Sequence, residues 1–294
     1  RNQVSFMLSA CNFYMPIFEE ALDAYGLPLE LRYLPIIESA LNPSAISRAG
    51  ASGLWQFMIG TGKIYGLESN SLVDDRRDPI KATWAAARYL KEMYAIYGDW
   101  NLVIAAYNCG PGTINKAIRR ANGETDYWKI YNYLPKETRG YVPAFIAANY
   151  VMTYYCDHNI CPMETNIPAS TDTVQVNKNL HFEQIADLCN VPLDQVKSLN
   201  PQYKKMMIPG ASKPYTLRLP IEAISNFIDK QDTIYAHRAD ELFRNRKTVA
   251  VKDITPATRK AATAVAGKGK LSYHTIKSGD TLSSIAGRYG VSVK

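Results

Sequence analysis

The sequence predicts a mainly α protein, helical over about its first 155 residues and continued by small α+β modules. Three observations predict it. Apolar residues recur at helical spacing between Tyr14 and Tyr155, with no convincing alternating stretch. After Pro162 the pattern changes to short β-like segments flanking pairs of short helices. That later unit then recurs at an offset of 100 residues.

Taken in order, Tyr14 to Tyr25 places Tyr14, Phe18, Ala21, Leu22 and Tyr25 on one amphipathic stripe, stopped by Gly26 and Pro28. Pro16 is expected in the first turn, where it breaks no helical hydrogen bond. A second helix is expected from Leu29 to Leu41, ended by Asn42-Pro43. A long Ala-rich helix spans Pro79 to Tyr97, opened by a proline and followed by Gly98. Asp99 then caps Trp100 to Asn108, which Gly110-Pro111-Gly112 ends. Tyr141 to Tyr155 forms the last strong helix of this part.

The later unit reads Thr173–Val176 (β), Phe182–Cys189 (helix), Leu193–Leu199 (helix) and Tyr215–Leu219 (β). At the 100-residue offset Val174 and Val176 face His274 and Ile276, and Ile185-Ala186 faces Ile285-Ala286. Apolar positions match while charges drift, which is how a packing pattern persists. Four parts follow: 1–160, 168–221, a helical segment with a basic linker over 222–270, and 271–294, where the second copy breaks off at Lys294.

With 294 residues and 47% hydrophobic content the chain can bury a sizeable core. No apolar run reaches the roughly 18–20 residues of a membrane helix; Tyr141 to Tyr155 is too short and contains Asn149. The net charge of +7 resides entirely between Arg244 and Lys270, a basic tether suited to anionic polymers, so a pI near 9 does not imply nucleic acid, and no nucleic-acid partner is expected. Of five cysteines, Cys156 and Cys161 flank a short turn and are placed to pair in an oxidising compartment. Cys156-x-His158-x-x-Cys161 also resembles half a metal site; no second cluster completes it, and neither metal nor cofactor is expected. Leu8-Ser9-Ala10-Cys11 matches a lipoprotein cleavage box, but the seven residues before it lack an apolar core. The match is read as chance, and membrane association is expected only through an anchor segment absent from this sequence.

Chemistry concentrates in Leu34-Pro35-Ile36-Ile37-Glu38-Ser39-Ala40-Leu41-Asn42-Pro43. Glu38 is a lone carboxylate at an otherwise apolar helix end. Burial there disfavours its charged form and raises its pKa, as a general acid near neutral pH requires. A glutamate turned to solvent at a helix C-terminus is the competing reading. No other Asp or Glu occurs between Glu38 and Glu68, and all four histidines lie outside the helical region, which argues against a His-based triad. Gly62-Lys63-Ile64 is not a phosphate loop, and Cys109 reads as a small buried hydrophobe.

Ser47, then Gly53-Leu54-Trp55-Gln56-Phe57-Met58-x-x-Thr61, then Ala106-Tyr107-Asn108-Cys109-Gly110, then Glu137-Thr138-Arg139-Gly140-Tyr141-Val142-Pro143 complete a pattern. Together with Glu38 these blocks resemble the lytic murein transglycosylases of the lysozyme-like superfamily, and above all the membrane-bound lytic murein transglycosylase D family, over about residues 10–155. Ser278-Gly279-Asp280-Thr281-Leu282 with Ile285-Ala286 resembles the LysM glycan-binding module; the first copy carries Asn179-Leu180-His181-Phe182 in its place.

The resemblance implies a lysozyme-like helical domain that cleaves the β-1,4 bond between N-acetylmuramic acid and N-acetylglucosamine without water. The 2-acetamido oxygen attacks the anomeric carbon while Glu38 protonates the leaving oxygen. Glu38 then takes the proton of the 6-hydroxyl as a 1,6-anhydro ring closes. Ser47 and Gln56 would line the saccharide subsite, Tyr107 and Asn108 would hold the acetamido group, and Tyr141 would hydrogen-bond near the acid. Each has a plainer role open to it: helix cap for Ser47, solvated loop residue for Gln56, core for Tyr107, helix end for Asn108, packing at a helix start for Tyr141. The partners implied are peptidoglycan glycan strands, and the place the bacterial cell envelope. Two alternatives stand beside this reading. One is a hydrolytic muramidase drawing a second carboxylate from Asp74, Asp75 or Asp78. The other is a wall-binding protein without activity.

Overall fold

In the computed structural model, which describes residues 2–164, 167–168 and 170–244, eight helices build the first part. They are α1 (Asn2–Ala24), α2 (Leu34–Ser39), α3 (Ile59–Ile64), α4 (Pro79–Tyr97), α5 (Trp100–Cys109), α6 (Pro111–Arg120), α7 (Tyr127–Ile130) and α8 (Lys136–Thr153). Helix α5 is the centre. Its run Leu102–Ala106 is buried, and it packs against α4 on one side and α8 on the other, while α1 lies across α4. Asp78 and Asp99 cap α4 and α5 by accepting backbone N–H groups of the first turn, and Gly98 ends α4 in the left-handed region. Both helices thus begin and end as their sequence punctuation predicts.

Three helices differ from expectation. Helix α1 begins at Asn2, so Pro16 lies in its interior, because Met7, Leu8 and Ala10 extend the buried stripe of Tyr14 and Phe18 toward the N-terminus. The Leu8–Cys11 segment is therefore part of a packed helix. The expected helix over Leu29–Leu41 splits into a 3-10 turn (Leu29–Tyr33) and α2, with Pro35 in the first turn of α2. Helix α8 starts five residues before Tyr141 and carries Pro143 inside it, so Thr138 and Tyr141 occupy its first turns. Cys156 and Cys161 are both free and exposed rather than paired.

The second part holds β1 (Thr171–Val176), β2 (Asn179–His181), α9 (Phe182–Cys189), α10 (Leu193–Leu199), β3 (Met207–Pro209) and β4 (Tyr215–Pro220). Strand β1 pairs antiparallel with β4, Val174 opposite Leu217, and β2 pairs antiparallel with β3. Its core contains Val176, Leu180, Ile185, Val196 and Leu217. Helices α11 (Ile221–Asp229), α12 (Gln231–Ala236) and α13 (Ala239–Leu242) follow. Phe227 and Ile234 are fully buried in the same core, and the buried Gln184 amide donates to the Tyr235 and His237 carbonyls. The expected boundary at residue 221 thus falls within one packed unit, because α11 and α12 cover apolar surface that the two-strand sheet leaves open. The repeat copy at 271–294 and the basic linker from 245 onward lie outside the described residues.

Candidate functional site

Three helix ends meet where the sequence places its candidates: the C-terminus of α2 with Glu38, that of α5 with Tyr107 and Asn108, and the N-terminus of α8 with Thr138 and Tyr141. Helix α2 stops abruptly at Ser39, one residue past Glu38, because Ala40 and Leu41 both take left-handed backbone, at φ 51° and 59°. The Ser39 hydroxyl ties this stop to the next loop by donating to the Leu54 carbonyl at 2.9 Å. Glu38 is half-buried. Desolvation pushes its pKa up to about 7, and the exposed Glu137 carboxylate in the first turn of α8 adds to the rise. The Tyr141 hydroxyl donates to Glu38 Oε1 and opposes part of it. Glu38 is therefore an acid that stays protonated into the neutral range, with one fixed donor holding its orientation.

The structure gives the other candidates distinct tasks. Tyr107 donates its hydroxyl to the Trp55 carbonyl at 2.7 Å, and burial, helped by the Glu38 charge, pushes its pKa well up. Its proton is thus committed to holding the loop rather than to a ligand. Asn108 accepts at Oδ1 from the Thr138 hydroxyl at 2.8 Å, which fixes the amide. Gln56, at φ 49°, donates its side-chain amide to the Gly53 carbonyl at 2.8 Å and the Ala45 carbonyl at 3.3 Å, so its NH₂ group ties the loop together. Ser47 is exposed, and its hydroxyl oxygen accepts the Ala51 N–H at 3.0 Å, closing a turn whose strand-like bridges run Ile46–Ser52 and Ser52–Phe57. Tyr141 bonds to Glu38 and Tyr107 feels its charge, Asn108 is tied to Thr138 at the start of α8, and Gln56 and Ser47 shape the Trp55 loop.

Two contributors were not identified from the sequence. Thr138 is 1% exposed and orients Asn108; only its place three residues before Tyr141 in one block hints at this. Thr138→Val keeps the volume but strands the Asn108 carbonyl. It is expected to cost about 1–2 kcal/mol in urea unfolding, with the Glu38 pH dependence unchanged. Arg76 is the second. Its guanidinium pairs with Asp74 through Nε at 2.9 Å and Nη2 at 2.8 Å, and Nη1 donates to the Gly50 and Phe57 carbonyls, both at 2.9 Å. It clamps the loop from behind. Gly53 has to be glycine here: its φ is +88°, and a Cβ would lie 1.7 Å from the Arg76 carbonyl oxygen.

The acidic cluster below the loop is fully employed. Asp74 holds Arg76, Asp75 pairs with Lys81 at 3.0 Å and accepts the Glu68 N–H, and Asp78 caps α4. None of the three folds back over Glu38 as a second carboxylate. Cys109 is half-buried and desolvation raises its thiol pKa, the opposite of an activated nucleophile. No group of three or more His, Cys, Asp or Glu side chains suited to a metal ion occurs among the described residues.

Comparison with known proteins bears on the whole chain. The Transglycosylase SLT domain family model matches residues 15–130, the LysM-like domain of lytic transglycosylase MltD matches 170–236, and the LysM domain matches 274–294. Membrane-bound lytic murein transglycosylase D of Escherichia coli K12 is 34% identical over 275 residues, covering 92% of this chain and 56% of that protein. Soluble lytic murein transglycosylase of the same organism is 33% identical over 124 residues, 40% of this chain and 19% of that one. Among solved structures, the 70 kDa soluble lytic transglycosylase of Escherichia coli matches with a TM-score of 0.42 and 29% identity over 49% of this chain and 24% of its own. The chain spans little more than half the length of the membrane-bound relatives it matches. With three family models in this order and identity along nearly its whole length, the chain belongs to the membrane-bound lytic murein transglycosylase D family.

Proposed function

We propose that this chain cleaves the β-1,4 bond between N-acetylmuramic acid and N-acetylglucosamine in peptidoglycan and leaves a 1,6-anhydro-N-acetylmuramic acid end. The observation that carries the reading is Glu38 itself: half-buried, with a pKa near 7, and oriented by the Tyr141 hydroxyl, while Asp74, Asp75 and Asp78 are tied up elsewhere. A glycosidase with one carboxylic acid has no enzymic nucleophile, so the substrate supplies it. The 2-acetamido oxygen bonds to the anomeric carbon as the glycosidic C–O bond breaks and the Glu38 proton passes to the leaving oxygen. Glu38, now a carboxylate, takes the 6-hydroxyl proton as that oxygen displaces the acetamido oxygen. The acid is restored and no water is consumed.

Asn108, held at its oxygen by Thr138, presents its NH₂ group toward the sugar, and Gln56 lines the wall of the cleft. Tyr107 acts through the Trp55 backbone. Ser47 shapes the saccharide subsite through its turn. The catalytic unit takes up about residues 1–160; the units after it, ending in the LysM match, keep the enzyme on an insoluble polymer at high local concentration. The bacterial cell envelope, where murein lies, is the place of action.

Mass spectrometry of soluble muropeptides released from purified murein tests this. Products one water lighter than hydrolytic products are expected. Products of hydrolytic mass would favour the muramidase reading instead.

Tyr141→Phe removes the hydrogen bond that favours the charged form of Glu38. Its pKa then rises further, so the alkaline limb of the pH–rate profile, expected near pH 7 in the parent, moves to higher pH. The rate at the optimum falls by about tenfold or more as the acid loses its orientation. A lower rate with an unmoved limb would remove Tyr141 as the partner that sets the Glu38 pKa.

A further inference from the structure

The loop that carries the Arg76 clamp does not end in the catalytic part. Residues 68–76 cross into the first LysM-like unit: Leu72 and Val73 are buried in that unit's core beside Tyr203 and Tyr215, and Val73 forms a strand-like bridge with Tyr203. The Asp74 N–H donates to the Gln202 carbonyl at 2.9 Å, and the Lys204 N–H donates to the Leu72 carbonyl at 2.6 Å. The Lys204 ammonium donates to the Asn70 carbonyl at 2.8 Å and stands 3.6 Å from Asp74. At the edge of the contact, Glu68 accepts from the Tyr215 hydroxyl at 3.0 Å and pairs with Lys213 at 2.7 Å.

These contacts form a short chain of buried links. Lys204 and Gln202 fix Asp74; Asp74 fixes Arg76 through two parallel hydrogen bonds; Arg76 fixes the Gly50 and Phe57 carbonyls, the two ends of the loop that bears Gln56. Gly53 lies against the Arg76 backbone in the middle of that loop, so the loop cannot move without displacing the same residue. A guanidinium spent on four acceptors is rigid only if its carboxylate partner is itself held, and here the holder is the neighbouring unit.

We infer that the first LysM-like unit serves as a brace of the active-site loop, with Lys204 a positioning residue that acts on Gln56 through Asp74 and Arg76. The unit's face toward the catalytic part is given over to this brace, whatever its other faces bind. The consequence for glycan binding rests on the function proposed above; the mechanical coupling does not.

Hydrogen exchange measured on the full chain tests the coupling directly. The probes are the amides of Ala51, Ser52, Gly53 and Gln56, each of which donates within the loop. Lys204→Met keeps the aliphatic stem and removes the ammonium. The expected result is exchange about tenfold faster or more at those amides, with α6 unchanged and protection restored in Lys204→Arg. On murein the same variant is expected to raise KM by about fivefold and to leave the Glu38 pH limb in place. If Lys204→Met does not fold, Lys204→Gln, which removes the charge and keeps a donor, is read in the same way. Faster exchange confined to residues 68–76 and 200–207, or spread equally over α6, would overturn the inference. Loop exchange that responds as expected, with no anhydro product from the parent, would instead leave the brace standing and remove the proposed reaction.

Discussion

Replacing Glu38 by Gln is expected to lower release of anhydro-muropeptides by about 10²- to 10⁴-fold, the range lost when a positioned general acid is removed. The substitution leaves the site's shape intact, since Gln keeps an acceptor for the Tyr141 hydroxyl. Binding of glycan is expected to persist, which separates loss of chemistry from loss of fold. The same variant carries an opposite expectation for stability. As pH rises from the ordinary carboxylate range toward 7, the unfolded chain gives up this proton before the folded one does, so folding is weakened across that window and above it. Gln is never charged. Glu38→Gln is therefore expected to be more stable than the parent at pH 8, by about 1–2 kcal/mol once partial exposure is allowed for, and equal to it at pH 4. Thermal unfolding at the two pH values checks this. A variant that cleaves murein like the parent would remove Glu38 as the acid, and equal stability at both pH values would mean that its carboxyl is not desolvated.

The second large effect is expected at Arg76, far from any sugar. Its side chain and that of Asp74 are 6% and 2% exposed, so Arg76→Met leaves a buried carboxylate without its guanidinium partner. Burial alone works to raise the Asp74 pKa, and the Arg76 hydrogen bonds outweigh it and hold the carboxyl below its usual range. Breaking such a pair costs about 3–5 kcal/mol, and two loop carbonyls lose their donor as well. Urea unfolding is expected to show the loss, together with weaker glycan binding. The double variant Asp74→Leu/Arg76→Met is expected to recover part of the stability, because neither charge then remains buried, but not the binding, because the clamp is gone. Recovery of both would mean that the guanidinium does nothing for the loop beyond neutralising Asp74.

What was legible in the sequence follows a physical line. Helices α4 and α5 could be read to within a residue because Asp78-Pro79, Gly98, Asp99 and Gly110 supply caps and stops from neighbours in the chain. Glu38 was legible because a single carboxylate among Leu34, Ile36 and Ile37 is a local anomaly with one electrostatic consequence. Helix α8 was started late, at Tyr141, because Gly140 looks like an interruption, whereas its packing on α5 and α2 carries the helix back to Lys136. Strands β2 and β3, three residues each, are too short for alternation to register. Thr138 and Arg76 were not readable at all. Each acts through a partner 20 or more residues distant, Asn108 in one case and Gly50 in the other, and nothing in their own neighbourhood marks them. The segment from Asp74 to Asp78 reads in isolation as a solvated charge run, and only folding turns it into a clamp.

The burial of Leu72 and Val73 in the second unit has a consequence for how this protein can be cut and recombined. A fragment ending near residue 160 would present both side chains, and the backbone groups that now bond Gln202 and Lys204, to water or to another chain. Such an apolar, unpaired edge invites self-association. The catalytic helices and the first unit after them therefore form one indivisible block, to be excised, transplanted or fused only together.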